Sequence, residues 1–262
     1  MGVNPNPVLS VSDQKDMRIS AAAERIEMME ALYRRFGDGG MTTLRNRIRY
    51  LRKKLAWIFV IRLARFIKRG LDIGISLSLL ALSSPLLLVV ALAVKLTDGG
   101  PVLFWQKRVG KWGREFWFPK FRSMIIDAEA IRKDILSQSH HHDSITFKMK
   151  HDPRVTWIGR IIRKYSIDEL PQLLNVLKGE MSLVGPRPPL PSEVAQYTLM
   201  NRRRLDVKPG LTCSWQVRGR GDIPFPEQVR LDAEYVESQS LWLDIKILLK
   251  TVPAVLTGRG AY

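Results

Sequence analysis

The charged residues best suited to phosphate chemistry lie in one short stretch. Basic residues between Arg160 and Lys164 are followed by two adjacent carboxylates, Asp168 and Glu169. The carboxylates begin a predicted helix, Asp168–Lys178, and the first turn of a helix offers free N–H groups and a positive dipole end to an anion. An ionised carboxylate beside phosphate-holding cations can attack phosphorus and form an acyl phosphate. It can also bind Mg²⁺ that bridges phosphate oxygens.

The same stretch has a purely structural interpretation. Ser166 and Glu169 have the spacing of a capping box, in which the two side chains satisfy backbone N–H groups at a helix start. Taken alone, this spacing favours capping over catalysis. Both interpretations therefore stay open at this point.

Other cations are suited to holding a phosphate. Lys120 and Arg122 alternate with Phe121, and in a strand this alternation places both cations on one face, as it would on any solvated strand. Arg187 stands between two prolines, which lowers the entropy cost of fixing its side chain towards an anion. Together with Arg163, these residues are the predicted phosphate or nucleotide ligands.

Several other features predict no site. His140, His141 and His142 are consecutive and cannot all face one ion, so we interpret them as a loop. Cys213 is the single cysteine, which favours a reducing, cytoplasmic setting, and we interpret it as a packing residue. The sequence has no dinucleotide-binding glycine motif and no P-loop, so Arg, Lys and a metal would have to hold a nucleotide.

The elements that must position these residues are predicted to be mainly helical, in an α/β fold. The Asp168–Lys178 helix has an apolar stripe of leucines and ends at Gly179. Residues 101–124 are typical of short strands around turns at Gly110 and Gly113. Further helices are predicted at 21–36, 43–68, 127–137 and 226–238, and a basic helix or turn at 158–165. Residues 241–256 are predicted either to lie on a membrane surface or to pack into the core.

The distribution of charge indicates a membrane. The net charge of +17 over 262 residues implies an anionic partner, which charge alone does not identify. Residues 44–70 contain ten Lys or Arg and no acidic residue, and residues 73–94 carry no charge. A helix of that uncharged length is about 33 Å long, enough to cross a bilayer core. The basic helix before it is predicted to rest on anionic lipid, with a nucleic-acid-binding arm as the alternative.

The apolar run is interrupted near its middle by Ser84 and Pro85. Proline removes a backbone donor and bends or breaks a helix, and serine hydroxyls can satisfy part of the freed backbone. Both flanks of the run are basic, and basic flanks tend to stay in the cytoplasm. A re-entrant helix that returns to the same face fits both facts, whereas an ordinary spanning helix with a proline kink is the alternative. The physics alone does not separate the two.

A collinear series of short motifs continues from the apolar run almost to the end of the chain. It includes Lys68-Arg69-Gly70-Leu71-Asp72, Ser84-Pro85, Gly100-Pro101-Val102, Lys120-Phe121-Arg122-Ser123-Met124, Asp152-Pro153-Arg154, Ser166-Ile167-Asp168-Glu169-Leu170-Pro171-Gln172-Leu173, Gly185-Pro186-Arg187-Pro188, Lys208-Pro209-Gly210-Leu211-Thr212 and Gly258-Arg259-Gly260. In these motifs, residues 66–262 resemble the bacterial sugar transferase family, also called monotopic phosphoglycosyl transferases.

The resemblance implies a fold and a topology. Residues 66–98 would form a re-entrant membrane helix broken at Ser84-Pro85, and residues 99–262 a small catalytic domain with amphipathic interfacial helices. Residues 1–65 would be a tail and a basic amphipathic helix that match nothing in the family. The enzyme would lie on the cytoplasmic face of the bacterial inner membrane, in contact with anionic lipid.

The resemblance also implies a reaction. A hexose 1-phosphate would pass from a UDP-sugar to undecaprenyl phosphate, with release of UMP, as the first membrane step of exopolysaccharide, capsule or O-antigen synthesis. Asp168 would be the nucleophile, Glu169 would assist it, and both would hold Mg²⁺. Nucleic acid would not be a partner, and the oligomeric state is left open, including a homo-oligomer.

Two departures and one rival accompany the resemblance. Cys213 stands where the family usually has Gly, and Arg218 where it often has Ser, so the identity of the sugar is not fixed. The rival is a basic, membrane-tethered protein that binds nucleic acid or a partner without catalysis. That rival does not account for the carboxylate pair Asp168-Glu169 at a helix start or for the proline-framed Arg187.

Overall fold

The computed structural model describes residues 44–128, 152–258 and 260. The predicted helix at 21–36, most of the one at 127–137 and the three consecutive histidines lie outside these residues. The chain divides into two units, Met1–Arg65 and Phe66–Tyr262. The described part is mainly helical with two small sheets, which confirms the predicted fold class at that level.

The elements follow one another in a simple order. The helices are α1 (Leu44–Asp98), α2 (Trp157–Lys164), α3 (Leu173–Lys178), α4 (Pro191–Ala195), α5 (Leu199–Arg202), α6 (Phe225–Ser238) and α7 (Leu241–Thr257). The strands are β1 (Leu103–Val109), β2 (Glu115–Phe121), β3 (Ser182–Val184) and β4 (Gly210–Thr212). Short 3₁₀ segments cover Lys111–Gly113, Ile167–Gln172, Arg203–Leu205 and Arg220–Asp222. β1 and β2 form the antiparallel hairpin expected around Gly110 and Gly113, and β3 pairs in parallel with β4.

Helix α1 is longer than the sequence predicts. The basic segment and the apolar run, expected as two helices, form one helix of 55 residues with Pro85 inside it. Ser84 and Pro85 are themselves helical, so the expected break is not a gap in the helix. The hydroxyls of Ser83 and Ser84 donate to the carbonyls of Leu79 and Ala81, at 2.6 and 2.8 Å. These bonds use carbonyls near the proline, whose missing N–H leaves one helical hydrogen bond unmade.

Among the described residues, one helix is long and apolar enough to cross a membrane, and it covers Ile48–Asp98. Only 11% of its most apolar window is buried, whereas the core helix of a soluble protein is mostly covered. Large apolar residues of this helix, such as Leu82, Leu88 and Leu96, are 73–80% exposed. An exposed apolar surface of this extent is typical of a membrane or protein contact.

Helix α1 contacts the same globular body on both sides of Pro85. Before Pro85, Arg69 donates to the carbonyls of Val176 and Leu177 at the end of α3, at 2.5 and 2.6 Å. Asp72 is buried there and accepts from the Leu183 backbone N–H at 3.0 Å. After Pro85, the side chains of Val90 and Val94 are buried in a cluster with Phe121, Ile158 and Ile162. The second unit thus holds α1 on both sides of its proline.

The core of the second unit lies between the hairpin, α3, β3 and the last two helices. Its largest cluster joins Phe116 and Phe118 of β2 to Leu173 and Val176 of α3, and the last two helices contribute Tyr235 and Ile247. This core fixes the segment Ile167–Gln172, which carries the carboxylate pair, against strand β2.

Candidate active site

A cavity of about 720 Å³ lies within the second unit. It is lined by both predicted carboxylates, by four cations and by several aliphatic side chains. The charged lining is Lys120, Arg163, Asp168, Glu169, Arg187 and Arg220. The aliphatic lining includes Ile75, Leu79, Leu248, Leu249, Val252 and Leu256. A cavity of this composition can hold phosphates at one part of its surface and hydrocarbon at another.

Asp168 is positioned by a 3₁₀ segment rather than by the predicted α-helix. Ser166 has a left-handed backbone, with φ of 53°, and turns the chain out of α2 into the segment Ile167–Gln172. Pro171 lies inside this segment, and the α-helix begins only at Leu173. Since the segment is short, the helix-dipole argument for a phosphate at Asp168 loses its basis. The expected end of the helix at Gly179 is confirmed, with φ of 84°.

The capping-box interpretation is wrong. The Ser166 side chain caps no backbone N–H group. The Glu169 backbone N–H instead donates to the Ser166 carbonyl oxygen, at 3.2 Å. The Ser166 hydroxyl accepts from the guanidinium of Arg220 at 3.3 Å. Glu169 is thereby left free of a capping role and lines the cavity beside Asp168.

The environment of Asp168 disfavours its ionised form. The residue is only 6% exposed. Burial, followed by the nearby charge of Glu169, raises the pKa of Asp168 to about 7, although Lys120 and Arg163 act in the opposite direction. Burial also lowers the pKa of Lys120 to about 8, with further lowering by Arg108. A carboxyl group that titrates near neutral pH among cations is typical of a catalytic site.

Arg163 and Arg187 reach the cavity from rigid backbone. Arg163 is on α2, whose first turn is capped by Thr156 accepting from the Gly159 N–H at 3.0 Å. Arg187 follows β3, where a Cβ on Gly185 would lie 2.4 Å from the Lys208 carbonyl oxygen, so only glycine fits. This close approach and the neighbouring prolines fix the backbone of Arg187, as its sequence context predicts.

Lys120 and Arg122 have different surroundings. Lys120 lines the cavity beside Asp168. Arg122 does not line it and instead forms a partly buried ion pair with Asp98, at the end of α1. The ion pair ties the end of the apolar helix to the end of β2. Arg122 therefore has a structural role in place of the expected one, which was to face a phosphate together with Lys120.

Arg220 is a cavity residue that the sequence analysis did not identify. It has a left-handed backbone, with φ of 51°, and one of its guanidinium nitrogens, Nη1, is buried without a hydrogen-bond partner. Burial lowers the pKa of Arg220, whereas Glu169 and Asp168 raise it, which places all three charges close together. The Gly221 N–H donates to the Gly260 carbonyl oxygen at 3.1 Å.

Comparison with known proteins identifies the family. Residues 63–258 match the model of the family described as bacterial sugar transferase. The chain belongs to this family. It is 46% identical over 209 residues to the undecaprenyl-phosphate galactose phosphotransferase of Salmonella typhimurium, covering 77% of this chain and 43% of the relative.

Two further relatives of this bacterial sugar transferase differ in length. The galactosyl transferase CpsE of Streptococcus agalactiae is 54% identical over 165 residues, which are 63% of this chain and 36% of the relative. The exopolysaccharide production protein ExoY of Rhizobium meliloti is 40% identical over 198 residues, which are 74% of this chain and 88% of the relative. The chain thus spans less than half of the first two relatives and most of the third.

The residues of this bacterial sugar transferase that could hold Mg²⁺ are Asp168 and Glu169. The part of the chain that the structure describes contains no group of three or more His, Cys, Asp or Glu side chains suited to a metal. Mg²⁺ is commonly held by one or two carboxylates together with substrate phosphates, so a pair suffices. The raised pKa of Asp168 shows a buried carboxyl group whose negative charge a cation would stabilise. The residues present therefore fit the metal.

Cys213 has the packing role predicted for it. The side chain is 1% exposed and lies in a cluster with Trp215 and Leu231. Burial raises the pKa of its thiol well above the usual value, so the thiolate is disfavoured. Arg218, the other departure from the family pattern, is exposed and does not line the cavity.

Proposed function

We propose that this enzyme transfers a hexose 1-phosphate from a UDP-sugar to undecaprenyl phosphate and releases UMP. The observation that carries the proposal is the placement of Asp168 in one cavity with four cations and an aliphatic wall. A UDP-sugar brings two phosphates, and a polyprenyl phosphate brings one phosphate and a hydrocarbon chain. The Salmonella relative is named for undecaprenyl phosphate and galactose, which supports the same pair of substrate classes.

In the first half of the proposed reaction, the donor diphosphate lies among Lys120, Arg163, Arg187 and Arg220. These cations neutralise phosphate oxygens that would otherwise repel an incoming anion. An oxygen of the ionised Asp168 carboxylate attacks the phosphorus that carries the sugar. The bond from this phosphorus to the bridging oxygen breaks, and UMP leaves with that oxygen. The product is an aspartyl phosphosugar on Asp168.

In the second half, a phosphate oxygen of the acceptor lipid attacks the same phosphorus. The bond to the Asp168 oxygen breaks, the carboxylate is restored, and the product is a polyprenyl diphosphate sugar. The carboxylate of Glu169, next to Asp168, interacts with the same set of cations. Mg²⁺ held by Asp168 and Glu169 would supply further neutralisation of phosphate oxygens. Because UMP leaves before the lipid reacts, the kinetics are ping-pong.

The proposal includes a re-entrant α1 that bends at Ser84-Pro85, on the cytoplasmic face of the inner membrane. If α1 spanned the bilayer, its two ends would lie on opposite sides of the membrane. A domain on one side could then contact only one of them. Contacts of Arg69 and Asp72 before the proline, and of Val90 and Val94 after it, with the same body support the re-entrant form. Basic residues on both flanks support the cytoplasmic side.

We place this step at the start of exopolysaccharide, capsule or O-antigen synthesis, in line with the name of the ExoY relative. The test uses membranes that contain the full chain, undecaprenyl phosphate, Mg²⁺ and a panel of UDP-hexoses. At least one donor should release UMP in step with formation of a lipid-linked sugar. Absence of UMP release with every donor, while the protein is folded and membrane-bound, would refute the proposal.

A further inference from the structure

Helix α7 has two apolar faces, only one of which is covered. On the covered face, Ile247 is 4% exposed and packs in the main core, and Asp244 is buried beside it. The other face is an exposed stripe with helical spacing of three and four residues. The stripe consists of Trp242, Ile245, Leu249, Val252 and Leu256, which are 39–68% exposed. The alternatives left open for residues 241–256, core or membrane surface, thus apply to opposite faces of one helix.

The second half of this stripe belongs to the cavity. Leu249, Val252 and Leu256 line it, as do Ile75 and Leu79 of α1. We call these five residues the aliphatic wall. All five are Leu, Ile or Val, and the aromatic residues of the cavity lining, Tyr165 and Trp215, are not among them. Trp242 and Ile245, in the first half of the stripe, do not line the cavity.

The aliphatic wall and the charged residues line the same cavity. Its α1 members belong to the apolar segment that we place in the bilayer, and Leu79 is 40% exposed. Asp168, Lys120 and Arg163 lie on the charged side. A ligand that fills both parts has an anionic head and a branched hydrocarbon chain. A nucleotide sugar has polar groups along its whole length and would leave the aliphatic side chains without apolar contacts.

We infer that the aliphatic wall binds the first isoprene units of the acceptor lipid and holds its phosphate at the charged side. The inference rests on the proposed function and assigns a binding surface to one of its two substrates. The phosphate of the acceptor must reach the phosphorus on Asp168, so the isoprene units nearest to it must enter the cavity. The aliphatic wall offers them branched side chains at the membrane helix, where a lipid arrives.

The experiment compares variants of the full chain in detergent micelles, where differences in bilayer association do not contribute. Leu249→Gln and Val252→Gln make the aliphatic wall polar at exposed positions, where the fold depends little on the side chain. Ile245→Gln is the matched control, because Ile245 lies on the same stripe outside the cavity. UMP released without acceptor reports the donor half of the reaction. The KM for undecaprenyl phosphate, and for farnesyl phosphate with only three isoprene units, reports the acceptor half.

We expect both cavity variants to keep the wild-type burst of UMP and to raise the KM for each acceptor about tenfold, the effect of removing one good apolar contact in a pocket. The Ile245→Gln control should match the wild type in both measurements. Unchanged acceptor KM values in the cavity variants would overturn the inference, as would a slower burst, which would assign the wall to the donor. An equal loss in the control would also overturn it. A wild-type enzyme that releases no UMP from any donor would refute the proposed function itself, and the inference with it.

Discussion

Replacing Asp168 with asparagine should stabilise the folded protein at pH 8 while it abolishes turnover. Burial raises the pKa of Asp168 to about 7, against 3.8 for an exposed aspartate. The unfolded chain therefore releases the Asp168 proton at a lower pH than the folded chain does. The stability of the wild type falls as the pH rises from about 4 to about 7 and is then constant. At ~1.4 kcal/mol for each pH unit between the two pKa values, the cost is on the order of 4 kcal/mol.

Asparagine has nearly the same shape and no charge to bury, so the variant avoids this cost. Thermal unfolding in detergent at pH 5 and pH 8 measures the difference. We expect a higher midpoint for Asp168→Asn at pH 8, on the order of 10 °C, and a smaller gap at pH 5. Asp206→Asn, which removes the same charge from the exposed surface, is the control. A variant that is less stable than the wild type at pH 8, or a gap that does not grow with pH, would contradict a carboxylate whose burial outweighs the effect of its neighbouring cations.

Three further outcomes follow from the same geometry. The kcat/KM for the donor should rise with pH and level off above about 7, because the raised pKa of Asp168 leaves little of the carboxylate ionised at acidic pH. A profile that is flat from pH 5.5 to 8 would refute this. Arg220→Ala should lower donor turnover about a hundredfold or more, by loss of one preorganised donor, whereas Arg218→Ala outside the cavity should not, and equal effects would remove Arg220 from the site. Single cysteines in place of Arg52 and Lys178, in a background without the native cysteine, should both resist a membrane-impermeant thiol reagent in intact cells; labelling of either one would exclude the re-entrant topology.

Local sequence predicted the elements whose signals are themselves local. The hairpin was expected from its two glycines, and the helix predicted at 226–238 is observed at Phe225–Ser238. The helical stop at Gly179 was also expected, because an αL residue after a helix favours glycine. The apolar run was recognisable because a soluble core helix seldom has 22 uncharged residues in succession.

Features that depend on distant contacts were not predictable in the same way. Asp168 lies in a 3₁₀ segment that ends at Leu173, and Leu173 is buried against Phe116 and Phe118 of β2, which are distant in the sequence. Arg122 pairs with Asp98, 24 residues away, and Arg220 donates to Ser166, 54 residues away. That Leu79 and Leu249 line one cavity could also be seen only in the folded structure. The carboxylate pair was predictable as a candidate site because Asp168 and Glu169 are adjacent in the sequence.

The most direct test of the central claim is to locate the covalent intermediate. The full chain is incubated with Mg²⁺ and a radiolabelled UDP-hexose that supports UMP release, with no acceptor lipid, and digested at acidic pH for mass spectrometry. The account predicts one phosphohexose on the peptide that contains Asp168. This adduct should be absent from Asp168→Asn and discharged to lipid when undecaprenyl phosphate is added. No adduct on the wild type while transfer to lipid proceeds normally, or an adduct on another residue, would contradict a covalent mechanism through Asp168.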